Sequence, residues 1–177
     1  VVVMEPVKGG KLAKFNGEVE RHFKDYSDAS TASWALRWVG SLPGVKVILS
    51  GMNELDQVVD NINTFKNFEP LNEEERAVIA KVKEELKKFK AVECTNCKYC
   101  LPCTVGIEIP AYFGVYNNYR MFANPEMTRN EAKFALGKSA LFSECIECGK
   151  CKEACPQGID IPNQLKKLGE VLDFIKL

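Results

Sequence analysis

At 177 residues, the chain can form one medium-sized domain or two small ones. It carries 24 basic and 24 acidic residues, so it lacks the excess of positive charge that marks proteins binding nucleic acid or anionic membranes. Its longest apolar runs are far too short to span a bilayer. Eight cysteines without a recognisable signal peptide predict reduced thiols and a cytoplasmic location.

The chain opens with a β-branched run, Val1 to Met4, which predicts a buried strand followed by a glycine loop. Because no helix or loop introduces this strand, we expect the N-terminus to be a cut, either in the gene or in the expressed fragment. Residues 11 to 29 are polar and are predicted to be irregular. The only histidine, His22, is expected to be a bystander.

Residues 30 to 66 alternate between helix and strand. Ser30 is predicted to cap a helix that ends at Gly40, and residues 45 to 49 have the continuous apolar character of a parallel strand. Asn53 is predicted to cap a further helix that runs to about Thr64. The order strand, helix, strand, helix is typical of α/β folds. The turn at residues 50 to 53, before this second helix, could bind phosphate, but an ordinary helix cap is the commoner interpretation.

After residue 70 the pattern is helical throughout, with no strand candidate. Asn72 with Glu75, and Thr128 with Glu131, have the spacing of capping boxes, the second for a helix to about Ser139. Two prolines, Pro110 and Pro162, are each predicted to open a helix. The aromatic residues of the first of these helices are expected to shield a site from water, and they are Tyr112, Phe113, Tyr116, Tyr119 and Phe122. The residues of the last helix predicted to be buried are Leu165, Leu168, Val171, Leu172 and Ile175.

The cysteines form two arrays. The first array is Cys94, Cys97, Cys100 and Cys103, and the second array is Cys145, Cys148, Cys151 and Cys155. Three thiolates at two-residue gaps with a fourth nearby are the sequence signature of 4Fe–4S ligation. A loop folded over a cube of iron and sulfide can present a thiolate at every third residue to three corners, and the fourth corner is filled from elsewhere.

The arrays are also copies of one another. The first three cysteines of each array are related by an offset of 51, and the fourth by an offset of 52. The second offset also relates residues 106–110, Gly-Ile-Glu-Ile-Pro, to residues 158–162, Gly-Ile-Asp-Ile-Pro. We therefore predict a pseudo-twofold pair of cluster units.

In two-cluster ferredoxins the fourth cysteine of each run ligates the other cluster. By that rule Cys155 completes the site of the first array, and Cys103 completes the site of the second. The eight cysteines could instead form disulfides, but there is no signal peptide, and cysteines two residues apart suit a metal site better than a secreted disulfide framework. Zinc is the stronger rival, but zinc ribbons usually separate two cysteine pairs by a longer loop, whereas four cysteines here lie within ten residues.

The chain resembles aldo/keto reductase-family oxidoreductases that carry a C-terminal two-cluster ferredoxin domain. Residues 4–12 are similar to the seventh barrel strand and its loop, residues 34–38 to the following helix, and residues 47–52 to the eighth strand. The first array, with Thr95-Asn96 and Leu101-Pro102 inside it, carries the most specific likeness. Thr104 departs from the many cluster motifs that have proline after the fourth cysteine.

The resemblance implies a mainly α chain, with a βαβα remnant of a TIM barrel at residues 1–66 and an all-helical ferredoxin-like domain with two 4Fe–4S clusters at residues 67–177. In that family the loops after the last two strands hold NADP or NAD at the top of the barrel. Carried over by position, the residues that would touch the dinucleotide are Gly9, Ser50, Gly51, Met52, Gln57 and Asn61. The family's catalytic Asp, Tyr, Lys and His have no match, and two βα units cannot close a barrel. Carbonyl reduction and dinucleotide binding would therefore need the missing barrel.

Three functions follow as hypotheses. The first is an electron-transfer module that relays electrons between its clusters and a redox partner or the missing barrel portion; Lys98, Lys150 and Lys152 would favour the reduced clusters. The second is a helical interaction module that iron–sulfur clusters or zinc only stabilise. The third is a complete reductase. Neither nucleic acid nor a membrane is expected as a partner, and no oligomeric state is predicted.

Overall fold

The computed structural model describes residues 1–174, which are mainly helical. They form two compact units, Val1–Leu86 and a second unit that begins at Lys87. This division comes later in the chain than the boundary at residues 66 and 67 that the sequence suggested. The reason is that the helix after residue 72 packs with the first unit, where Arg37 donates two hydrogen bonds, of 2.6 and 2.9 Å, to Glu75.

Two short parallel strands form the sheet of the first unit. Strand β1 (Val2–Val3) pairs with β2 (Val47–Ile48), with Val2 opposite Val47. The parallel pairing agrees with the sequence pattern, but the prediction of buried strands is wrong, because Val2 is 59% exposed and Val47 is 45% exposed. Parallel strands are buried on both faces only where helices cover both faces, and these strands keep one face open.

Helix α1 (Gly17–Lys24) lies in the segment that was predicted to be irregular, so that prediction is wrong. The Asn16 side chain caps it by accepting a 3.0 Å hydrogen bond from the Val19 N–H. Val19 and Phe23 are its only buried residues, and the Phe23 ring lies 4.9 Å from the ring of Trp34. Val19 and Phe23 have the spacing of one helical turn, and acidic residues precede basic ones along the segment, so the signals of a helix are present but short.

The other helices of the first unit are α2 (Thr31–Gly40), α3 (Leu55–Lys66) and α4 (Glu73–Lys88). Ser30 caps α2 as predicted, with its hydroxyl 2.9 Å from the Ser33 N–H. Asn72 and Glu75 form the predicted capping box at the start of α4. The predicted cap of α3 is wrong, because the helix begins at Leu55 and the Asn53 N–H donates to the Gln57 side chain instead.

In the second unit, α5 (Ile109–Phe122) is followed by α6 (Pro125–Ala135), a 3₁₀ turn (Phe142–Glu144), α7 (Lys150–Glu153) and α8 (Ile161–Phe174). Pro110 and Pro162 lie in the first turns of α5 and α8, as predicted. No strand occurs after residue 70 within residues 1–174, and no helix in that range is long and apolar enough to cross a membrane.

The predicted capping box of α6 is wrong. The helix begins at Pro125, and the Asn124 side chain caps it by accepting from the Met127 N–H at 3.0 Å. Thr128 therefore lies inside the helix, where its hydroxyl donates to the Asn124 carbonyl. The sequence Asn-Pro is itself a capping signal, since proline suits the first helical position, and it prevails over the Thr128–Glu131 spacing.

The core of the second unit lies between α5 and α8. Leu165, Leu168 and Leu172 are buried as predicted, and Val171 is half-buried. Ile175 lies outside the described residues. Among the aromatic residues of α5, three are buried, namely Tyr112, Phe113 and Tyr116, whereas Tyr119 and Phe122 are only half-buried.

Candidate metal centre

The two cysteine loops share one backbone conformation. Three pairs of residues related by the offsets of the sequence repeat have positive φ angles, and they are Asn96 with Glu147 (57° and 53°), Lys98 with Gly149 (65° and 79°) and Gly106 with Gly158 (84° and 64°). Loops that alternate into the left-handed region turn their N–H groups into a concavity suited to anions. The repeat in the sequence is therefore also a repeat in the folded chain.

The chain leaves both arrays in the same way. The carbonyl of Cys103 accepts a 3.0 Å hydrogen bond from Gly106, and the carbonyl of Cys155 accepts one of the same length from Gly158. Three residues after each glycine, a helix begins, α5 at Ile109 and α8 at Ile161. The fourth cysteine of each array is thus fixed at the base of a core helix.

One buried side-chain amide, that of Asn117, fixes the chain before the first array. The Asn117 amide oxygen of α5 accepts hydrogen bonds from the N–H groups of Ala91 and Val92, at 3.0 and 2.9 Å, and its NH₂ donates to the Val92 carbonyl at 2.7 Å. Val92 is itself buried in the core. These bonds fix the chain two residues before Cys94, and the sequence analysis did not identify Asn117 for this position.

Each array surrounds its own cavity. The first cavity is lined by Cys94, Cys97 and Cys100 together with Cys155 from the second array. The second cavity is lined by Cys145, Cys148 and Cys151 together with Cys103 from the first array. Cys100 also reaches the second cavity, which has a volume of about 170 Å³. The structure therefore brings all eight cysteines into two adjoining sites, and each fourth cysteine lies with the other array.

All eight cysteines are free thiols. Cys97 and Cys148 are exposed, whereas the other six are half-buried and pack against the apolar core. No three His, Cys, Asp or Glu side chains within residues 1–174 are gathered closely enough to hold a single metal ion.

Crowding of the thiols opposes their ionisation. Burial raises the pKa of Cys100 to about 11, and the neighbouring charges of Cys94, Cys151 and Cys97 add to that rise. Burial also raises the pKa of Cys151, with the charge of Cys145 as a further cause. Since a metal ligates the thiolate, metal binding here must release protons and relieve this repulsion.

Cys148 differs from the other cysteines. The Thr104 hydroxyl lies 3.6 Å from its Sγ atom and, together with the backbone N–H of Lys150, lowers the pKa of the Cys148 thiol. In the first array, the corresponding exposed thiol of Cys97 lies 4.0 Å from the amide oxygen of Gln157, which also accepts from the Thr95 hydroxyl. The sequence marked Thr104 only as a departure from proline and gave no signal for Gln157.

The lysines expected beside the ligands are not equivalent. Lys152 donates to Asp160 at 2.9 Å, so its charge is paired. Lys166 of α8, which the sequence analysis did not name, pairs with Glu147 at 2.7 Å. Lys98 lines the first cavity and Lys150 the second.

The six residues proposed to contact a dinucleotide lie together in the first unit. They line one cavity of about 400 Å³, and they are Gly9, Ser50, Gly51, Met52, Gln57 and Asn61. The Asn61 NH₂ donates to the Ser50 hydroxyl at 3.1 Å, and the side-chain amide oxygen of Gln57 accepts from the Asn53 N–H. Two of the polar side chains are thus already engaged with the loop that forms the cavity wall.

Known proteins support the metal assignment of the second unit. Residues 93–160 match the family described as the 4Fe-4S dicluster domain. An uncharacterized iron–sulfur protein of Methanococcus maripaludis is 27% identical over 147 residues, which cover 73% of this chain. The chain spans only 28% of the length of that relative. No solved structure matches.

Proposed function

We propose that the second unit holds two 4Fe–4S clusters and relays electrons as the C-terminal part of an oxidoreductase that resembles the aldo/keto reductases. The observation that carries this proposal is the pair of cavities, each lined by three thiols of one array and the last thiol of the other. Bound there, a 4Fe–4S cluster takes up and releases one electron at a time. The exchange of fourth thiols would bring the two clusters close enough for electrons to pass between them.

The surrounding residues support such a role. Ile109, Phe113 and Ile161 form an apolar wall of the first cavity, and Ile109 and Leu165 line the second. Such walls exclude water from one side of each site. On the other side Cys97 and Cys148 are exposed, so each site reaches the surface through one ligand. A redox partner could approach either cluster at that ligand.

The proposal extends to the larger, aldo/keto reductase-like enzyme of which this chain would be the C-terminal part. It is supported by the parallel pair β1 and β2 and by the cavity that the six candidate dinucleotide contacts line. We propose that this cavity binds NADP or NAD only when the rest of a barrel completes it. The chain alone lacks the catalytic residues of the aldo/keto reductases, and we expect no carbonyl reduction from it.

Anaerobic reconstitution with iron and sulfide tests the cluster assignment. By the ligand count, the protein should turn brown and bind about eight irons per chain. Reduction should then bleach the visible absorption reversibly. A colourless protein that takes up two zinc ions instead would contradict the proposal.

An alternative function is a helical interaction module in which the metal has only a structural role. The packing of six cysteines against the core favours it, because metal binding would then stabilise the fold directly. Titration with a low-potential reductant separates the two functions, since an electron-transfer site must cycle reversibly.

The third function, a complete reductase, is tested by turnover. NADPH oxidation with simple carbonyl substrates should be absent in this chain and present in a longer protein that includes the upstream barrel strands. Activity in this chain alone would contradict our interpretation of the first unit.

A further inference from the structure

The two arrays differ at the residue after the fourth cysteine. The offset of 52 places Thr104 in the first array where Pro156 stands in the second. Proline has neither a hydroxyl nor an N–H group to donate, whereas threonine has both. The repeat therefore supplies its own comparison between a site with a side-chain donor and a site without one.

The Thr104 hydroxyl is directed at the other array. Its Oγ1 atom lies 3.6 Å from the Sγ atom of Cys148. A cysteine that ligates iron is a thiolate and carries no proton, so in the metal-bound protein the hydroxyl must be the donor. In the other site, the neighbour of Cys97 is the Gln157 amide oxygen, which is an acceptor.

Hydrogen bonds to the sulfurs and solvent exposure are among the features that set the potential of an iron–sulfur cluster. Reduction adds negative charge, so a donor to a ligating sulfur stabilises the reduced form. The backbone N–H of Lys150 donates to the same Cys148 sulfur. In the first array the Asn96 N–H donates to the Cys94 sulfur at 3.4 Å. Each site therefore has a backbone donor to a sulfur, and the Thr104 hydroxyl is the side-chain donor that the second site has in addition.

We infer that Thr104 makes the cluster held by Cys145, Cys148, Cys151 and Cys103 the more easily reduced of the two. The inference rests on the proposed function, since it requires two redox-active clusters. An electron that enters the second unit by either cluster then settles on this one. Thr104 is in this sense a positioning residue, because it acts on the cluster through the sulfur of Cys148.

The experiment is a redox titration of the reconstituted full chain, followed by electron paramagnetic resonance. The unmodified protein should give two separate one-electron midpoints. The variant Thr104→Val, which keeps the shape but removes the hydroxyl, should lower the higher midpoint and leave the lower one unchanged. We expect a shift of about 59 mV or less, which is a change of up to about tenfold in the electron's preference between the clusters.

Two matched variants control for shape and for nonspecific effects. Thr104→Ser keeps the hydroxyl and should keep both midpoints. Thr64→Val removes a hydroxyl of the first unit, where it donates to the Asp60 carbonyl, and should also keep both midpoints. If Thr104→Val does not hold its iron, Thr104→Pro copies the equivalent residue Pro156 and should lower the same midpoint.

The outcomes separate the inference from the proposed function. Two reducible clusters with midpoints that the valine and proline variants do not change would overturn the role of Thr104 alone. A shift of the lower midpoint would overturn the assignment of the second site as the more easily reduced one. A protein without two reducible clusters would overturn the proposed function itself.

Discussion

The thiols of Cys103 and Cys155 each belong to one array in the sequence and line the cavity of the other in the fold. If each of them ligates the cluster of the other array, loss of Cys103 or Cys155 removes the cluster of the opposite array. Iron content can therefore distinguish exchanged from unexchanged ligation without a structure of the metal-bound protein.

We predict the iron content of two double variants. Cys94→Ala with Cys155→Ala removes two ligands of one proposed cluster, so about four of about eight irons should remain. Cys94→Ala with Cys103→Ala removes one ligand of each cluster, so little iron should remain. Iron and acid-labile sulfide are measured after anaerobic reconstitution. The reverse ranking of the two variants would mean that each array ligates its own cluster.

The ion pair of Arg37 and Glu75 gives a pH-dependent stability to the first unit. Burial acts to raise the pKa of Glu75, but hydrogen bonds from Arg37 and from the Asn72 N–H outweigh it, so the pKa is lowered from 4.5. A carboxylate with a lowered pKa stabilises the fold above its unfolded-state pKa, and this contribution is lost as the pH falls through the folded-state value. The first unit should therefore lose stability below about pH 4.5.

We predict that Glu75→Gln removes this acid sensitivity. At neutral pH it should also lower the free energy of unfolding by about 1.5–3 kcal/mol, because it replaces charge-assisted hydrogen bonds at a side chain that is only 9% exposed. Urea unfolding can be followed by tryptophan fluorescence, since both tryptophans, Trp34 and Trp38, lie in the first unit. Glu73→Gln, at an exposed position of the same turn, is the control and should change stability little.

At the scale of elements, two helical glycines of the second unit have opposite surroundings. A Cβ atom on Gly169 of α8 would lie 2.7 Å from the Phe142 ring, whereas a Cβ atom on Gly114 of α5 would meet nothing within 4 Å. The ring of Phe142 is itself held edge-on against Tyr112, with centroids 5.8 Å apart. Gly169 is thus required by close packing, and Gly114 is not.

We predict opposite effects for alanine at these glycines. Gly169→Ala should destabilise the second unit. Overpacking costs about 1–3 kcal/mol, and the higher helix propensity of alanine than of glycine offsets only about 1 kcal/mol. Gly114→Ala should stabilise it by up to about 1 kcal/mol. The measurement is the temperature at which the reconstituted protein loses its visible absorption. Equal shifts for both variants would contradict the close packing of Phe142 on α8.

At the scale of the whole molecule, we expect the second unit to depend on bound metal for its fold. Its core lies between α5 and α8, and six of the eight cysteines pack against that core. Without metal, side-chain contacts such as Thr95 with Gln157 and Thr104 with Cys148 join the two loops. Metal ligation then contributes to the folding free energy of this unit.

We predict that removing iron by chelation or oxidation unfolds residues 91 to 165 first. Far-UV circular dichroism should report the loss of helix, and hydrogen exchange should locate it after Lys90. The first unit is the internal control, because it contains no cysteine, and its amides should keep their protection. Full helix content after complete iron loss would contradict a folding role for the metal.

How much of this protein can be predicted from its sequence depends on whether a feature is local. The two arrays, the proline-started helices α5 and α8 and the caps at Ser30 and Asn72 depend on residues a few positions apart, and the sequence predicts them correctly. Two local features were nevertheless missed, namely helix α1, which has only eight residues, and the cap of α6, where Thr128 with Glu131 offered a competing capping box.

The sequence by itself predicted the iron–sulfur character of the chain, since the spacing of thiolates along a loop favours one kind of metal group over others. Only the tertiary structure decided which side chains surround each site, that is, the position of Asn117 beneath the first array, the contact of Thr104 with Cys148, and the exposure of β1 and β2. The physical reason is that these contacts join residues 25 to 45 positions apart, and chain packing, not local spacing, brings them together.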